Sequence, residues 1–260
     1  MDNAILDHLL ERAVEIARAA GEDILDVQLE KVESKEDGSP LTRADMASHH
    51  RIVGELEEVS PAFPIVSEEG KVEQMRAAEP EVFWLVDPLD GTKEFIKGNG
   101  EYTVNIALIE DNRPVLGVIH APDLGWWCYA AADQGCWWAE PGEEPESVSA
   151  SPEEGMPLTA AVSRSHPSEA TTAFLEEHNI QRRVPRGSSL KFCAVARGEA
   201  DVYPRPNPTC LWDTAAGTIV AREAGCQVTD MEGADLLHDL SAGIKHNGFC
   251  VIGPRFAANS

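Results

Sequence analysis

Val82-Phe83-Trp84-Leu85-Val86-Asp87-Pro88-Leu89-Asp90-Gly91-Thr92-Lys93-Glu94-Phe95 is the stretch on which the reading of this chain turns. The apolar run Val82 to Val86 predicts a buried strand. It stops at an aspartate followed by proline, and a second aspartate three residues on precedes Gly-Thr. Two carboxylates at a strand mouth repel each other and lose hydration unless something positive sits between them. Lys93 is one candidate. A hard divalent cation does it better, because Mg²⁺ takes oxygen ligands. Asp87 and Asp90 supply carboxylates, and the Leu89 carbonyl lies between them. Gly91 permits a tight turn or a close backbone approach, and Thr92 can cap whatever helix follows and offers a hydroxyl. Taken alone, the stretch reads equally well as a polar turn with solvated aspartates.

Composition narrows the classes. At 260 residues, 43% hydrophobic and 25% charged, the chain is globular and fits one large domain or two modest ones. No apolar run approaches the roughly 20 residues of a membrane span. The start, Met1-Asp2-Asn3-Ala4, lacks the basic and apolar regions of a signal peptide, so a cytoplasmic location is expected, with peripheral contact at the inner membrane left open. The net charge of -24 argues against binding a nucleic-acid polymer. It also repels phosphorylated metabolites, so such a substrate needs metal ions at its site. A strongly acidic surface suits saline surroundings. Six scattered cysteines form no CxxC pair and read as reduced core residues.

Outward from the opening stretch, residues 4–34 predict a helix with Leu6, Leu9, Leu10, Ala13, Ile16 and Ala17 on one face. A turn at Lys35 to Pro40 follows. Thr42 predicts the N-cap of a second helix running to Val59, and Asp45 in its first turn reads as capping-box support. Phe63 to Ser67 predicts a strand ending in Glu68-Glu69, a second acidic pair. Strands over 103–110, 115–120, 126–131 and 135–139 predict an antiparallel meander, with the tryptophan pairs at 126–127 and 137–138 packing on its faces. The acidic segment 140–157 predicts a surface loop and a boundary between an α+β half, 1–155, and an α/β half, 156–260. In that second half strands are expected over 159–163, 181–185, 200–203 and 226–229, and helices over 168–178, 188–197 and 211–224. Three of its segments bear on chemistry. Ser163-Arg164-Ser165-His166 follows a strand, Arg186-Gly187-Ser188-Ser189-Leu190-Lys191 opens a helix, and Asp213 starts another. Singly, Asp213 reads as an N-cap, Lys191 as a solvated helix charge and His166 as a satisfied loop histidine.

The ordered set Ser67-Glu68-Glu69, Asp87 to Thr92, and Trp212 to Gly217 resembles the lithium-sensitive, magnesium-dependent phosphatase superfamily typified by inositol monophosphatase. The longer strings at 39–45, 87–108, 163–166 and 187–193 look like the CysQ-type 3'(2'),5'-bisphosphate nucleotidases of bacteria. The resemblance covers nearly the whole chain. It implies a layered α-β-α-β-α sandwich and two or three Mg²⁺ ions held by Glu68, Asp87, Asp90, Asp213 and the Leu89 carbonyl. It implies that Thr92 and Asp45 position the attacking water, that Glu68 assists its deprotonation, and that Gly91 and Thr92 offer N–H groups to the scissile phosphate. His166, Gly187, Ser188 and Lys191 match substrate-contacting positions. Arg205 replaces the sugar-binding glutamate of inositol monophosphatases, which favours an anionic substrate. With Arg164, Arg186 and Lys191 it is a candidate for holding a second phosphate. The expected reaction is hydrolysis of 3'-phosphoadenosine 5'-phosphate to AMP and phosphate by a monomer or homodimer. A broader inositol- or sugar-phosphate phosphatase and a non-catalytic metabolite sensor are the alternatives. Retention of every metal carboxylate and of Thr92 speaks against the sensor.

Overall fold

The apolar run becomes strand β4 (Val82–Asp90), buried on both faces. Phe83 and Leu85 enter one core cluster and Trp84 and Val86 another, as the two-residue period of a strand requires. The computed structural model describes residues 1–260 except 28–31, 35–39, 73–75, 77–79, 152–154, 166–167 and 260.

Among the described residues β4 belongs to a seven-stranded sheet in the order β3 (Ile65–Ser67), β4, β5 (Thr103–Glu110), β6 (Arg113–Ala121), β7 (Trp126–Ala131), β8 (Cys136–Ala139) and β9 (Glu146–Val148). β3 runs parallel to β4 and every later pairing is antiparallel. Helices α1 (Asn3–Asp26) and α2 (Arg43–Val59) cover one face through Leu9, Ile16, Ile24, Ile52 and Leu56. Helices Leu190–Ala196 and Ala215–Glu223 cover the other through Phe192, Ile219 and Val220. Beyond them lies a five-stranded sheet in the order β11 (Arg182–Arg186), β10 (Thr159–Ser163), β12 (Val202–Arg205), β16 (Phe249–Ile252) and β14 (Gln227–Thr229). Its outer side packs Leu175 of helix Glu169–Glu177 and Phe256 of helix Pro254–Ala257 on Ala160, Val202 and Cys250. The molecule is thus an α-β-α-β-α sandwich. Phe83 and Ile109, before the acidic segment, and Phe192 and Val251, after it, belong to one core cluster.

Several expected elements shift. α1 ends at Asp26 rather than 34. Val27 is extended, and its N–H closes the last turn on the Ile24 carbonyl at 3.2 Å. Residues 32–34 instead form β1 (Val32–Ser34), paired antiparallel with β2 (Pro40–Thr42). The expected turn at 35–40 lies mostly outside the described residues. The acidic segment after 140 is not all loop, because β9 extends the sheet edge and buries Val148. The predicted helix at 211 begins only at Ala215, since Leu211 to Thr214 form a turn closed by Thr214 Oγ1 on the Leu211 carbonyl at 3.0 Å. Two short strands, β13 (Thr209–Cys210) and β15 (Lys245–His246), pair with each other. Of the six cysteines five are buried and Cys210 is half-buried, and all are free thiols. Trp126 stacks on Trp138 at 4.0 Å, so the tryptophans do pack the meander. Among the described residues no helix is long and apolar enough to cross a membrane.

Gly117 on β6 lets helix Ala215–Glu223 approach closely. A Cβ there would lie 2.9 Å from Ala216 Cα and 2.5 Å from Ile219 Cγ2. Gly117→Ala should therefore cost about 1–3 kcal/mol through overpacking. Urea unfolding should show a lower midpoint at an unchanged slope, and an unchanged midpoint would contradict this contact.

Candidate active site

β4 ends in a bulge. Asp87 pairs with Asn105 and Asp90 with Thr103, so the ladder slips between them. Pro88 has no N–H to lose there. Side chains satisfy the freed backbone: Leu89 N donates to Asp87 Oδ1 at 3.1 Å, and Ser48 Oγ donates to the Pro88 carbonyl at 2.7 Å. Gly91 then turns the chain at a φ of 94°, and a Cβ there would sit 2.1 Å from Ser188 Oγ. The short helix Thr92–Lys97 follows.

The slip puts Asp87, Leu89, Asp90, Gly91 and Thr92 on the wall of a cavity of about 240 Å³. Parallel pairing of β3 with β4 brings Glu68, just past β3, to the same wall, with its N–H donating to the Val86 carbonyl at 3.1 Å. The second half closes the cavity with Gly187, Ser188, Lys191, Arg205 and Asp213.

Of the five acidic side chains that line this space, Glu68, Asp87, Asp90 and Asp213 perturb one another. Burial, then repulsion from Glu68, Asp90 and Asp213, pushes the Asp87 carboxyl well above its ordinary range, and Asp87 also shares a hydrogen bond with Glu68. Burial and Asp213 raise Asp90 to about 6, against the pull of Lys191, Ser189 and Arg205. Burial raises Asp213 as well, although Thr209 and the Cys210 N–H bond its Oδ2. Among the described residues no three His, Cys, Asp or Glu side chains stand at metal-holding spacing. The donor set is nonetheless all hard oxygen, and its repulsion is offset in part by shared protons, neighbouring hydrogen-bond donors and the charges of Lys191 and Arg205. That chemistry fits a hard divalent cation, which would displace the proton shared by Asp87 and Glu68.

Asp45 serves its helix cap and Thr92 at once. Its Oδ2 accepts from Thr42 N at 2.8 Å and Thr42 Oγ1 at 2.5 Å, completing the capping box, while Oδ1 accepts from Thr92 Oγ1 at 3.0 Å. Asp45 is buried behind Thr92 rather than on the cavity wall. Lys191 is not a solvated helix charge. It is 3% exposed, and its Nζ donates to the Ser188 carbonyl at 2.5 Å and the Arg186 carbonyl at 3.4 Å. Burial lowers its pKa to about 8 although Asp90 opposes the shift. Arg205 Nε is buried without a hydrogen-bond partner. Arg164 is exposed and away from the cavity wall, held by Glu101 through bonds of 2.6 and 2.7 Å. Arg186 likewise lies off the wall, 3.7 Å from Glu199. His166 lies outside the described residues.

Sequence reasoning missed the residues that hold these groups. Glu101 Oε2 accepts from Gly187 N at 2.7 Å. Ser189 Oγ lies 3.0 Å from Asp90 Oδ2 and accepts from Asn105 Nδ2 at 2.9 Å. Asn105 carried a signal: it is an amide inside an otherwise apolar strand, and a buried polar group needs a partner.

A model of the inositol monophosphatase family matches residues 5–256. The chain belongs to the inositol monophosphatase family. The 3'(2'),5'-bisphosphate nucleotidase CysQ of Salmonella typhimurium is 41% identical over 247 residues, spanning 94% of this chain and 99% of that protein. CysQ of Escherichia coli strain K12 is 40% identical with the same coverage. The crystal structure of CysQ from Bacteroides thetaiotaomicron, described as a bacterial member of the inositol monophosphatase family, superposes with a TM-score of 0.81. It is 36% identical and covers 94% of this chain and 96% of that one. The layered sandwich is therefore the inositol monophosphatase fold.

Without a cation, burial and the neighbouring Asp213 raise the Asp90 carboxyl to about 6 in the folded state, against about 3.9 unfolded. The folded protein binds the extra proton between those values, so stability falls as pH rises through about 6. In chelator, wild type should melt progressively below Asp90→Asn as pH rises from about 4 to about 6, with the gap level above that. A gap that stays constant with pH would contradict this coupling.

Proposed function

We propose that the chain is a Mg²⁺-dependent phosphomonoesterase that removes the 3'-phosphate of 3'-phosphoadenosine 5'-phosphate, giving AMP and phosphate. The observation that carries this reading is one cavity with two kinds of wall. Glu68, Asp87, Asp90, Glu94 and Asp213 make it acidic, while Lys93, Lys191 and Arg205, whose Nε is buried without a hydrogen-bond partner, make it basic. A substrate with two phosphates uses both walls. The CysQ nucleotidases at about 40% identity support the same substrate class.

In this reading Glu68, Asp87, Asp90, Asp213 and the Leu89 carbonyl would hold two or three Mg²⁺ ions. When bound, these supply Lewis acidity toward the phosphoryl oxygens and make water more acidic. The Thr92 hydrogen is committed to Asp45, so the Thr92 oxygen faces the attacking water as an acceptor and orients it. Glu68 takes the proton. The water oxygen bonds to phosphorus in line as the bond to the ribose 3'-oxygen breaks, and that oxygen leaves with a proton drawn from solvent. Gly91 and Thr92 offer N–H groups to the transferred phosphoryl oxygens. Among the described residues no cysteine or histidine lines the cavity, which supports direct attack by water.

Arg205 is assigned the phosphate that is not cleaved. Lys191 adds charge beneath it, and Ser188 and Asp213 border the substrate. Arg164 acts on Gly187 through Glu101 rather than on the phosphate. His166 is retained as a substrate contact. Arg205 at the position of a sugar-binding glutamate speaks against the broader inositol- or sugar-phosphate phosphatase.

Phosphate release from 3'-phosphoadenosine 5'-phosphate should require Mg²⁺ and vanish in Asp90→Asn. No release by wild type with saturating Mg²⁺ would overturn the assignment. A charge-assisted hydrogen bond contributes about 1.5–3 kcal/mol, so Arg205→Met should lower kcat/KM for the bisphosphate at least about tenfold. The value for 3'-AMP should change much less. Equal losses on both substrates would move Arg205 to the shared phosphate or to the fold.

A further inference from the structure

We infer that helix α2 is the alignment bar of the catalytic carboxylates, and that Ser48 and His49 are positioning residues that set the affinity of the site for its divalent cation. The inference rests on the metal-dependent reading of the cavity. Asp45, Ser48 and His49 fall at i, i+3 and i+4, so they share one helix face. Each reaches a different segment of the site. Asp45 accepts from Thr92, Ser48 donates to the Pro88 carbonyl, and His49 Nδ1 lies 2.8 Å from Ser67 Oγ.

The Ser48 contact continues into the site. The peptide whose carbonyl it holds also carries Leu89 N–H, which donates to Asp87 Oδ1. A planar peptide held at both ends cannot turn without breaking one bond, and successive links in a buried chain polarise each other. Ser48 thereby fixes where the Asp87 carboxylate points. His49 acts one step further back, holding the side chain of Ser67, the residue before Glu68. Ser67, 2% exposed, precedes Glu68, whose own N–H is held by the Val86 carbonyl. A helix interior does not need serine at position 48, where the side chain is fully buried and alanine has the better propensity. The hydroxyl is there for the Pro88 carbonyl.

The test uses Ser48→Ala, His49→Ala, Ser67→Ala, the His49→Ala/Ser67→Ala double variant and His49→Asn, whose amide can replace Nδ1. Mg²⁺ affinity is measured by calorimetry without substrate, beside the melting temperature in chelator and kcat and KM. Loss of partners that orient metal ligands weakens binding about 10–100-fold. We expect Ser48→Ala and His49→Ala to weaken Mg²⁺ binding by about tenfold or more. The double variant should be no weaker than either single, and His49→Asn should lie close to wild type. KM should hold, and kcat should recover as Mg²⁺ is raised. Wild-type Mg²⁺ affinity in Ser48→Ala and His49→Ala, with only the melting temperature lowered, would overturn the proposal. Wild type that binds no Mg²⁺ would overturn the metal-dependent reading itself, and this inference with it.

Discussion

Four acidic side chains brought together on the wall of one cavity of about 240 Å³ set the terms for the rest of the molecule. Each carboxylate gives up hydration, and each pair adds repulsion that a low-dielectric wall strengthens. The chain does not place them in the middle of elements. Glu68 follows the end of β3, Asp87 and Asp90 flank the bulge of β4, and Asp213 precedes helix Ala215–Glu223. At such ends backbone N–H groups are released from the ladder, and Leu89 N and Cys210 N bond Asp87 and Asp213 directly. What those donors leave uncompensated is the reason for a cation.

Bringing Asp213 to the other three requires the seven-stranded and five-stranded sheets to be locked together. The shared core cluster does part of this, with both sheets packed on helices Leu190–Ala196 and Ala215–Glu223. The loop Gly187 to Ser189 does the rest at the cavity itself. Ser188 Oγ lies 2.7 Å from the Asp90 carbonyl and 2.8 Å from the Glu101 carbonyl. It does so from a φ of 45°, a strained setting for a residue with a Cβ. Gly187 passes so close to Glu101 that a Cβ would meet its carbonyl oxygen at 2.4 Å. Arg164 holds Glu101 from outside, and Glu101 stays below the ordinary carboxylate range because Arg164 and the Gly187 N–H outweigh its partial burial.

Local patterns made β4, the meander and the Thr42 cap legible, because each is encoded in neighbouring residues. Motif order pointed to the four carboxylates, which the fold does bring to one cavity. What was not legible is mostly a matter of partners far apart in the chain or of side-chain direction. Arg164 looked like an anion grip because nothing near it announces Glu101, 63 residues away. Lys191 reads singly as a solvated charge and within the motif set as a substrate contact, and helix position alone does not show that its amine turns back to the Ser188 carbonyl three residues before it. Ser48 and His49 look like ordinary helix residues until β3 and β4 are seen against them. β16, a four-residue strand bounded by Gly248 and Gly253, was too short for periodicity to flag, although it pairs with both β12 and β14.

The net charge of -24 acts on the same balance. An acidic surface gathers cations and disfavours free phosphates, so the substrate must find compensating charge inside the cavity. Anomalous diffraction from crystals grown with Mn²⁺ tests this account most directly. It predicts anomalous peaks inside the cavity, within about 2.0–2.6 Å of oxygens of Glu68, Asp87, Asp90, Asp213 and Leu89, the range for oxygen ligands of hard cations. Full Mn²⁺ in the crystal with peaks only on the outer surface, and none among those four carboxylates, would contradict it.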